Sequence, residues 1–261
     1  MKVIILAAGA SRRLGLDQPK SLIKLEETNL IEIQLNQLLK AGISPKDINI
    51  VTGYKYKEFE YLNVNQIYNI DYDKSHQVKS IFCCANFIDF SKEDILISYG
   101  DVLYESNIVK ELLNSNHDIT VPYLIDWKNI WRDRLDDYVT DLETFRINDD
   151  HFLIEIGDKV TNIDPNGQFM GLACFKRGAL KKLENVITGV LNGNLTDLNK
   201  IEFTTALNFL IQNRMEVKAF PYNGIFNELD FPKDLKRLKI IIEENPSLLN
   251  LEYLINAEII K

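Results

Sequence analysis

The first twenty residues set the reading: KVIILAAGASRRLG (residues 2–15), closed by Pro19 and Lys20. Lys2 to Ala7 is a continuous apolar, β-branched run, the pattern of a strand covered on both faces. Ala8 to Lys20 is a loop rich in Gly, Ser and Arg. Small residues at Ala7, Ala8, Gly9 and Ala10 let the backbone approach a ligand closely. Successive N–H groups in such a loop can cradle phosphate oxygens, which makes Leu6, Ala7, Ala8 and Gly9 candidate contacts. Arg12 or Arg13 can fork onto phosphate, and Lys20 adds a compact positive charge.

Outward from this loop, the first half alternates strand and helix. Asn29 to Lys40 has helical spacing (Leu30, Ile33, Leu35, Leu38, Leu39) and ends at Ala41-Gly42. Ile48 to Thr52 and Gln66 to Ile70 read as strands, and Val78 to Phe87 as a helix. Asp94 to Ser98 is a strand closed by Tyr99-Gly100-Asp101. A helix over Ile108 to Leu113 and a strand over Ile119 to Tyr123 follow. This order predicts an α/β, Rossmann-like sheet, largely parallel, with helices on both faces. Ligands bind beyond the carboxyl ends of such strands, so the first loop and Gly100-Asp101 should meet in one crevice.

The second half is less regular. Tyr138 to Arg146 and Phe152 to Ile156 read as strands of an insertion, and Gln168 to Phe175 as a strand returning to the core. Arg177 to Leu191, Glu202 to Arg214 and Phe231 to Glu244 read as helices, with a strand over Val217 to Pro221. The expected organisation is one domain over 1–245 with an insertion at about 124–166. A C-terminal helical segment follows over 246–261, its helix running from Leu248 to Ile260.

Composition excludes several classes. Of 261 residues, 46% are hydrophobic and 26% charged, a globular balance. Thirty basic against 38 acidic residues give −8, which argues against non-specific nucleic-acid binding. Cys83, Cys84 and Cys174 make no zinc pattern and read as reduced thiols. His76, His117 and His151 are scattered, so no catalytic triad is indicated. The apolar run at the N-terminus is too short for a signal peptide or a membrane span, and the protein is read as cytoplasmic, with no membrane partner.

Two acidic positions stand out. Asp101 ends a strand and is either a turn residue or a ligand for Mg²⁺, which needs hard oxygens and few carboxylates. Asp230, in Asn227-Glu228-Leu229-Asp230, is either a helix-capping acid or a second such ligand. Gln77 and Ser80 either line a ligand or cap the helix that they begin. Trp127 and Trp131, four apart, share a helical face. They either enclose an ammonium group or anchor the insertion in the core. Arg134 could bind an acceptor phosphate, and Asp141 and Glu143 could meet a cationic amine. Gly167 to Leu172 holds glycines that permit close ligand approach.

LAAGASRRLG…PKSL resembles the opening signature of the nucleotidyltransferases that make sugar nucleotides and CDP-alcohols, L-A-A-G-x-G-x-R-[LM]…P-K. Arg13 matches the arginine and Lys20 the lysine, while Ser11 stands where many members have Gly. No G-x-x-x-x-G-K-[ST] or G-x-G-x-x-G competes with it. No D-x-D follows the fourth strand, unlike the metal site of a nucleotide-sugar glycosyltransferase.

The resemblance covers the chain to about Asp234. It implies that Arg13 and Lys20 are catalytic and that Asp101 and Asp230 hold the metal. It also implies that Leu6, Ala7, Ala8, Gly9, Gln77, Ser80 and Gly100 line the nucleotide. The W…W…R, D-x-E and GQ[FY]MG set resembles the subgroup acting on phosphocholine, aminoethylphosphonate and phospho-amino compounds such as phosphoglutamine. On that likeness Trp127, Trp131, Arg134, Asp141, Glu143, Gly171 and Glu228 face the acceptor. The implied fold is a mostly parallel mixed sheet, GT-A-like, with a small β-rich acceptor insertion. The implied activity is Mg²⁺-dependent transfer of CMP from CTP, or another nucleotide from its triphosphate, to a small phosphorylated or phosphonate acceptor. Pyrophosphate is released, and the product serves capsule or cell-surface polysaccharide synthesis. The alternative is a sugar-1-phosphate nucleotidyltransferase. A homodimer is compatible with this reading.

Overall fold

Val3, Ile4 and Ile5 are wholly buried, so the opening strand β1 (Lys2–Ala7) lies inside a sheet. The computed structural model describes residues 1–134, 138–160, 164–193 and 197–260. Seven further strands share the sheet: β2 (Ile48–Thr52), β3 (Asn65–Tyr68), β4 (Ile95–Tyr99), β5 (Ile119–Leu124), β6 (Gln168–Phe169), β7 (Leu172–Phe175) and β8 (Lys218–Tyr222). Their order is β6-β5-β7-β4-β1-β2-β3, with β8 paired to β5. β1 pairs in parallel with β2 and β4. β7 runs antiparallel between β4 and β5, so the sheet is mixed but mostly parallel, as expected.

Side chains of a strand alternate between faces. Val3 and Ile5 accordingly pack with α1 (Leu30–Lys40), while Ile4 packs in a second cluster with α2 (Gln77–Cys83). Helix α3 (Ser106–Asn114) joins the first cluster. Helices α5 (Ala179–Asn192) and α6 (Phe203–Gln212) join the second, and α4 (Trp127–Arg134) lies between in the chain. Helix α7 (Pro232–Glu244) closes a third cluster over Leu14 and Leu103. α1 opens with a capping box, in which Asn29 Oδ1 accepts the Glu32 N–H at 3.1 Å and Glu32 Oε2 accepts the Asn29 N–H at 3.2 Å. Among the described residues no helix is long and apolar enough to cross a membrane.

Three expected elements differ. The strand expected over Gln168 to Phe175 breaks at Gly171, whose φ of 68° lies in the left-handed region. β6 then pairs with β5, while β7 pairs with both β4 and β5. The strand expected from Tyr138 is a 3₁₀ turn over Tyr138–Asp141, closed by the Leu142 N–H on the Val139 carbonyl. The strand proper is Glu143–Ile147, paired antiparallel with Leu153–Lys159. The long terminal helix reduces to a turn at Pro246–Leu249 and α8 (Glu252–Asn256). There Asn36 of α1 donates to the Asn250 carbonyl and accepts the Leu254 N–H, polar contacts that hold the chain open between the two pieces. Residues 135–137 and 161–163 of the expected insertion, and Lys261 of the C-terminal segment, lie outside the described residues.

The sequence pattern did not anticipate a short ribbon. Val102–Tyr104 pairs antiparallel with Phe226–Glu228, and the Leu229 N–H donates to the Asp101 carbonyl at 2.8 Å. This ribbon carries the late acidic turn to the end of β4.

Candidate active site

The loop after β1 turns sharply to stay beside the sheet. Ser11 adopts φ 51°, the left-handed conformation that a glycine would take without strain, and it starts a 3₁₀ turn at Arg12–Leu14. At the end of β4, the Gly100 N–H donates to the Leu6 carbonyl at 2.9 Å. A Cβ at Gly100 would stand 2.8 Å from that oxygen, so only glycine lets Asp101 come this close to the loop.

The result is a cavity of about 250 Å³ at the strand ends. Leu6, Ala7, Ala8, Gly9 and Gly100 form its base, with Gln77 and Ser80 on one side. All seven expected nucleotide contacts therefore line one space. Ser80 is fixed by Asn69 Nδ2 at 3.0 Å, and Gln77 Oε1 has no hydrogen-bond partner among the described residues. Ser21, Tyr72, Ser75 and His76 also line the cavity and were not singled out by sequence.

Lys20 joins the two expected metal carboxylates. Its Nζ donates to Asp101 Oδ2 at 2.9 Å and also to Asp230 Oδ1. Arg13 Nη1 reaches Asp230 Oδ2 at 3.0 Å, with its guanidinium over the Phe231 ring. Burial would lower the Lys20 pKa, but Asp101 and Asp230 outweigh it and hold the ammonium above its ordinary range. Burial would raise Asp230, but Lys20 and then Arg13 outweigh it and keep the carboxyl low. Glu228 goes the other way: burial, then Asp230, push it well above the carboxylate range against Arg134 and Lys20.

A second cavity, about 180 Å³, opens on the far side of this cluster. Trp131, Asp141, Glu143, Gly171 and Glu228, five of the seven residues expected to face the acceptor, line it. Gly171 is needed on two counts: its φ is positive, and an added Cβ would stand 2.9 Å from the Tyr99 ring. Glu202 at the start of α6, Thr204, Gln168, Phe169 and Phe226 complete the wall. Gln168 and Phe169 belong to the Gly167–Leu172 segment marked in the sequence, whereas Glu202 was missed because no local pattern distinguishes an acid at a helix start from an ordinary cap. Burial, then Glu202 and Asp141, push the Glu143 carboxyl up to about 7. Asp141 is raised as well, chiefly by burial.

Two expected acceptor residues lie elsewhere. Trp127 is 3% exposed, lines neither cavity and packs in the core cluster with Leu124 and Trp131. The apolar side of a two-turn helix goes to the core, so the tryptophan at its start is an anchor. Arg134 is 1% exposed and is held by Asp234, from Nε to Oδ1 at 2.8 Å and from Nη2 to Oδ2 at 3.4 Å. A fully buried guanidinium requires such pairing, which leaves Arg134 unavailable to an acceptor phosphate.

A cationic loop after the first strand, opposed by a strand-end carboxylate and a late carboxylate, defines the nucleotidyltransferase class. The family model of the MobA-like NTP transferase domain matches residues 3–186. A CTP:phosphoglutamine cytidylyltransferase of Campylobacter jejuni is 30% identical over 252 residues, spanning 90% of this chain and 98% of that protein. A choline-phosphate cytidylyltransferase of Streptococcus pneumoniae is 34% identical over 142 residues, 50% of this chain and 57% of that one. The solved inositol-1-phosphate CTP transferase from T. maritima shares the fold, with a TM-score of 0.70 at 21% identity over 94% of this chain and 96% of that one. The chain belongs to the MobA-like NTP transferase family and is a nucleotidyltransferase. The family generally works with a divalent metal.

Proposed function

We propose that the protein transfers CMP from CTP to a small phosphorylated or phosphonate acceptor bearing an amine, and releases pyrophosphate. The observation that carries this is the shared wall of the two cavities: Arg13, Gln77, Tyr99, Glu228 and Asp230 line both. A nucleotide in the first and an acceptor in the second would meet at Asp230 and Arg13. The acceptor cavity is lined by five acidic side chains (Asp141, Glu143, Glu202, Glu228 and Asp230), of which the raised Glu143 and Glu228 would ionise beside a cation, against the one guanidinium of Arg13. That balance favours a cationic ligand over a neutral sugar. The relatives named for phosphoglutamine and choline-phosphate support the same reading.

In this reading an oxygen of the acceptor phosphate attacks the α-phosphorus in line. The new P–O bond forms as the bond to pyrophosphate breaks. The attacking phosphate is already anionic, so no strong base is needed, and catalysis is positioning plus charge neutralisation. Backbone N–H groups at Ala8 and Gly9 cradle the triphosphate, and Lys20 and Arg13 offset the charge on the leaving pyrophosphate. Among the described residues no cluster of three His, Cys, Asp or Glu side chains is placed to hold a metal. Mg²⁺ needs only one or two carboxylates beside substrate phosphates, so Asp101 and Asp230 fit it. When bound it would supply Lewis-acid polarisation of phosphate oxygens.

Pyrophosphate release from a matrix of the four nucleoside triphosphates against phosphocholine, aminoethylphosphonate, phosphoglutamine and hexose 1-phosphates tests the proposal. Turnover of CTP with an amine-bearing acceptor is expected. Turnover confined to hexose 1-phosphates would overturn it in favour of NDP-sugar synthesis.

A further inference from the structure

Arg134 is the largest fully buried side chain among the described residues, and it sits at the centre of a polar chain that ends on Asp230. Its guanidinium forks onto Asp234, itself 0% exposed. Asp234 Oδ2 then accepts the backbone N–H groups of Asp230 and Phe231, both at 2.8 Å. The Asp234 carbonyl accepts from Asn227 Nδ2 at 3.4 Å. A third edge of the guanidinium lies 3.3 Å from Glu228 Oε2, and Glu228 lines both cavities together with Asp230. Trp131, one turn earlier on α4, lines the acceptor cavity and stacks on the same guanidinium at 4.6 Å.

An anchor of α4 on α7 would require only the Arg134–Asp234 pair. Here the anion of that pair is also the acceptor for the backbone that carries Asp230, and the cation also faces Glu228. We propose that Arg134 is a positioning residue for the Asp101–Asp230 cation site. Through Asp234 it fixes the backbone of the 228–231 turn, which carries Asp230. The planar fork is what matters, because it satisfies both Asp234 oxygens at a defined angle, which a lysine ammonium cannot do. This inference rests on the cation reading of Asp101 and Asp230 given above.

Mn²⁺ binding to the CTP-bound protein, followed by loss of the free-ion electron paramagnetic resonance signal, reads the effect without turnover. Arg134→Lys and Asp234→Asn are expected to weaken Mn²⁺ binding about 10-fold or more, as when an outer partner of a metal ligand is lost. In steady-state kinetics kcat should fall while KM for CTP holds. Leu183→Ala, in the core cluster on the other face of the sheet, is the control for lost stability. It should lower Tm and leave Mn²⁺ binding unchanged. If Arg134→Gln fails to fold, the lysine and asparagine variants still decide the matter. Unchanged Mn²⁺ affinity in both, with Tm reduced, would make Arg134 a structural staple and overturn the proposal. A wild-type protein that binds no Mn²⁺ would overturn the cation reading itself, and this inference with it.

Discussion

The two cavities, the first proposed for the nucleotide and the second for the acceptor, share a wall but treat their acids in opposite ways. On the nucleotide side, Asp101 and Asp230 are bridged by Lys20 and backed by Arg13, so the chain itself balances the acids, and Asp230 stays low. On the acceptor side, burial and then the nearby Glu202 and Asp141 raise Glu143 to about 7. The first region is organised for charge that the protein supplies, whereas the second leaves charge balance to its ligand. The difference follows the architecture: the nucleotide side sits on parallel strand ends, the acceptor side on a turn, a hairpin strand and a helix start.

Predictions follow in order of effect. Lys20→Ala removes the ammonium that joins Asp101 to Asp230, and turnover should drop about 10²-fold or more, as for loss of one transition-state charge contact. Near-normal steady-state kinetics in that variant would erase the contrast, since the nucleotide side would then not depend on its own cations. Glu143→Gln should act on the other cavity alone. KM for an amine-bearing acceptor should rise about tenfold, the loss expected for one charged hydrogen bond, with KM for CTP unchanged. An equal change in both constants would show that the cavities are not separable.

The raised Glu143 carboxyl also sharpens the comparison through pH. Its value in the folded chain, about 7, lies above the ordinary 4.5, so folding favours its protonated form. That contribution to stability is complete below about pH 4.5 and is lost as pH rises through about 7. Unfolding free energy should therefore fall with rising pH across this window, by at most about 1.4 kcal/mol per pH unit for this group. Glu143→Gln should flatten the slope in denaturant titrations, and an identical slope would show that the Glu143 carboxyl is not raised by its surroundings. The smallest effect is expected behind the nucleotide cavity. Asn29→Ala removes the cap of α1 and should cost about 1 kcal/mol of stability, read as a fall in Tm, with kinetics intact.

Much of the nucleotide side was legible because its determinants are local. The β-branched run before Ala8, the small residues of the loop and the Gly100-Asp101 strand end each carry their signal within a few positions. The seven expected contacts therefore fell in one cavity. The acceptor side was legible only in part. Asp141, Glu143, Gly171 and Trp131 line it, but Trp127 went to the core and Arg134 into a buried ion pair. Helical spacing shows that Trp127 and Trp131 share a side, not what that side faces. Glu202 gave no signal, since its approach to Glu143 depends on how α6 meets the hairpin.

From the sequence alone came the alternation of strand and helix, a largely parallel α/β sheet and the small-residue cationic loop after the first strand. Each rests on periodicity and backbone freedom, properties of neighbouring residues. Only tertiary structure decided that Lys20 bridges carboxylates 81 and 210 positions away, and that Val102–Tyr104 pairs with Phe226–Glu228 to bring them there. It also decided that a guanidinium on α4 supports the turn beneath Asp230. Such contacts depend on which surfaces must be buried together, so burial and charge pairing across the whole chain determine them.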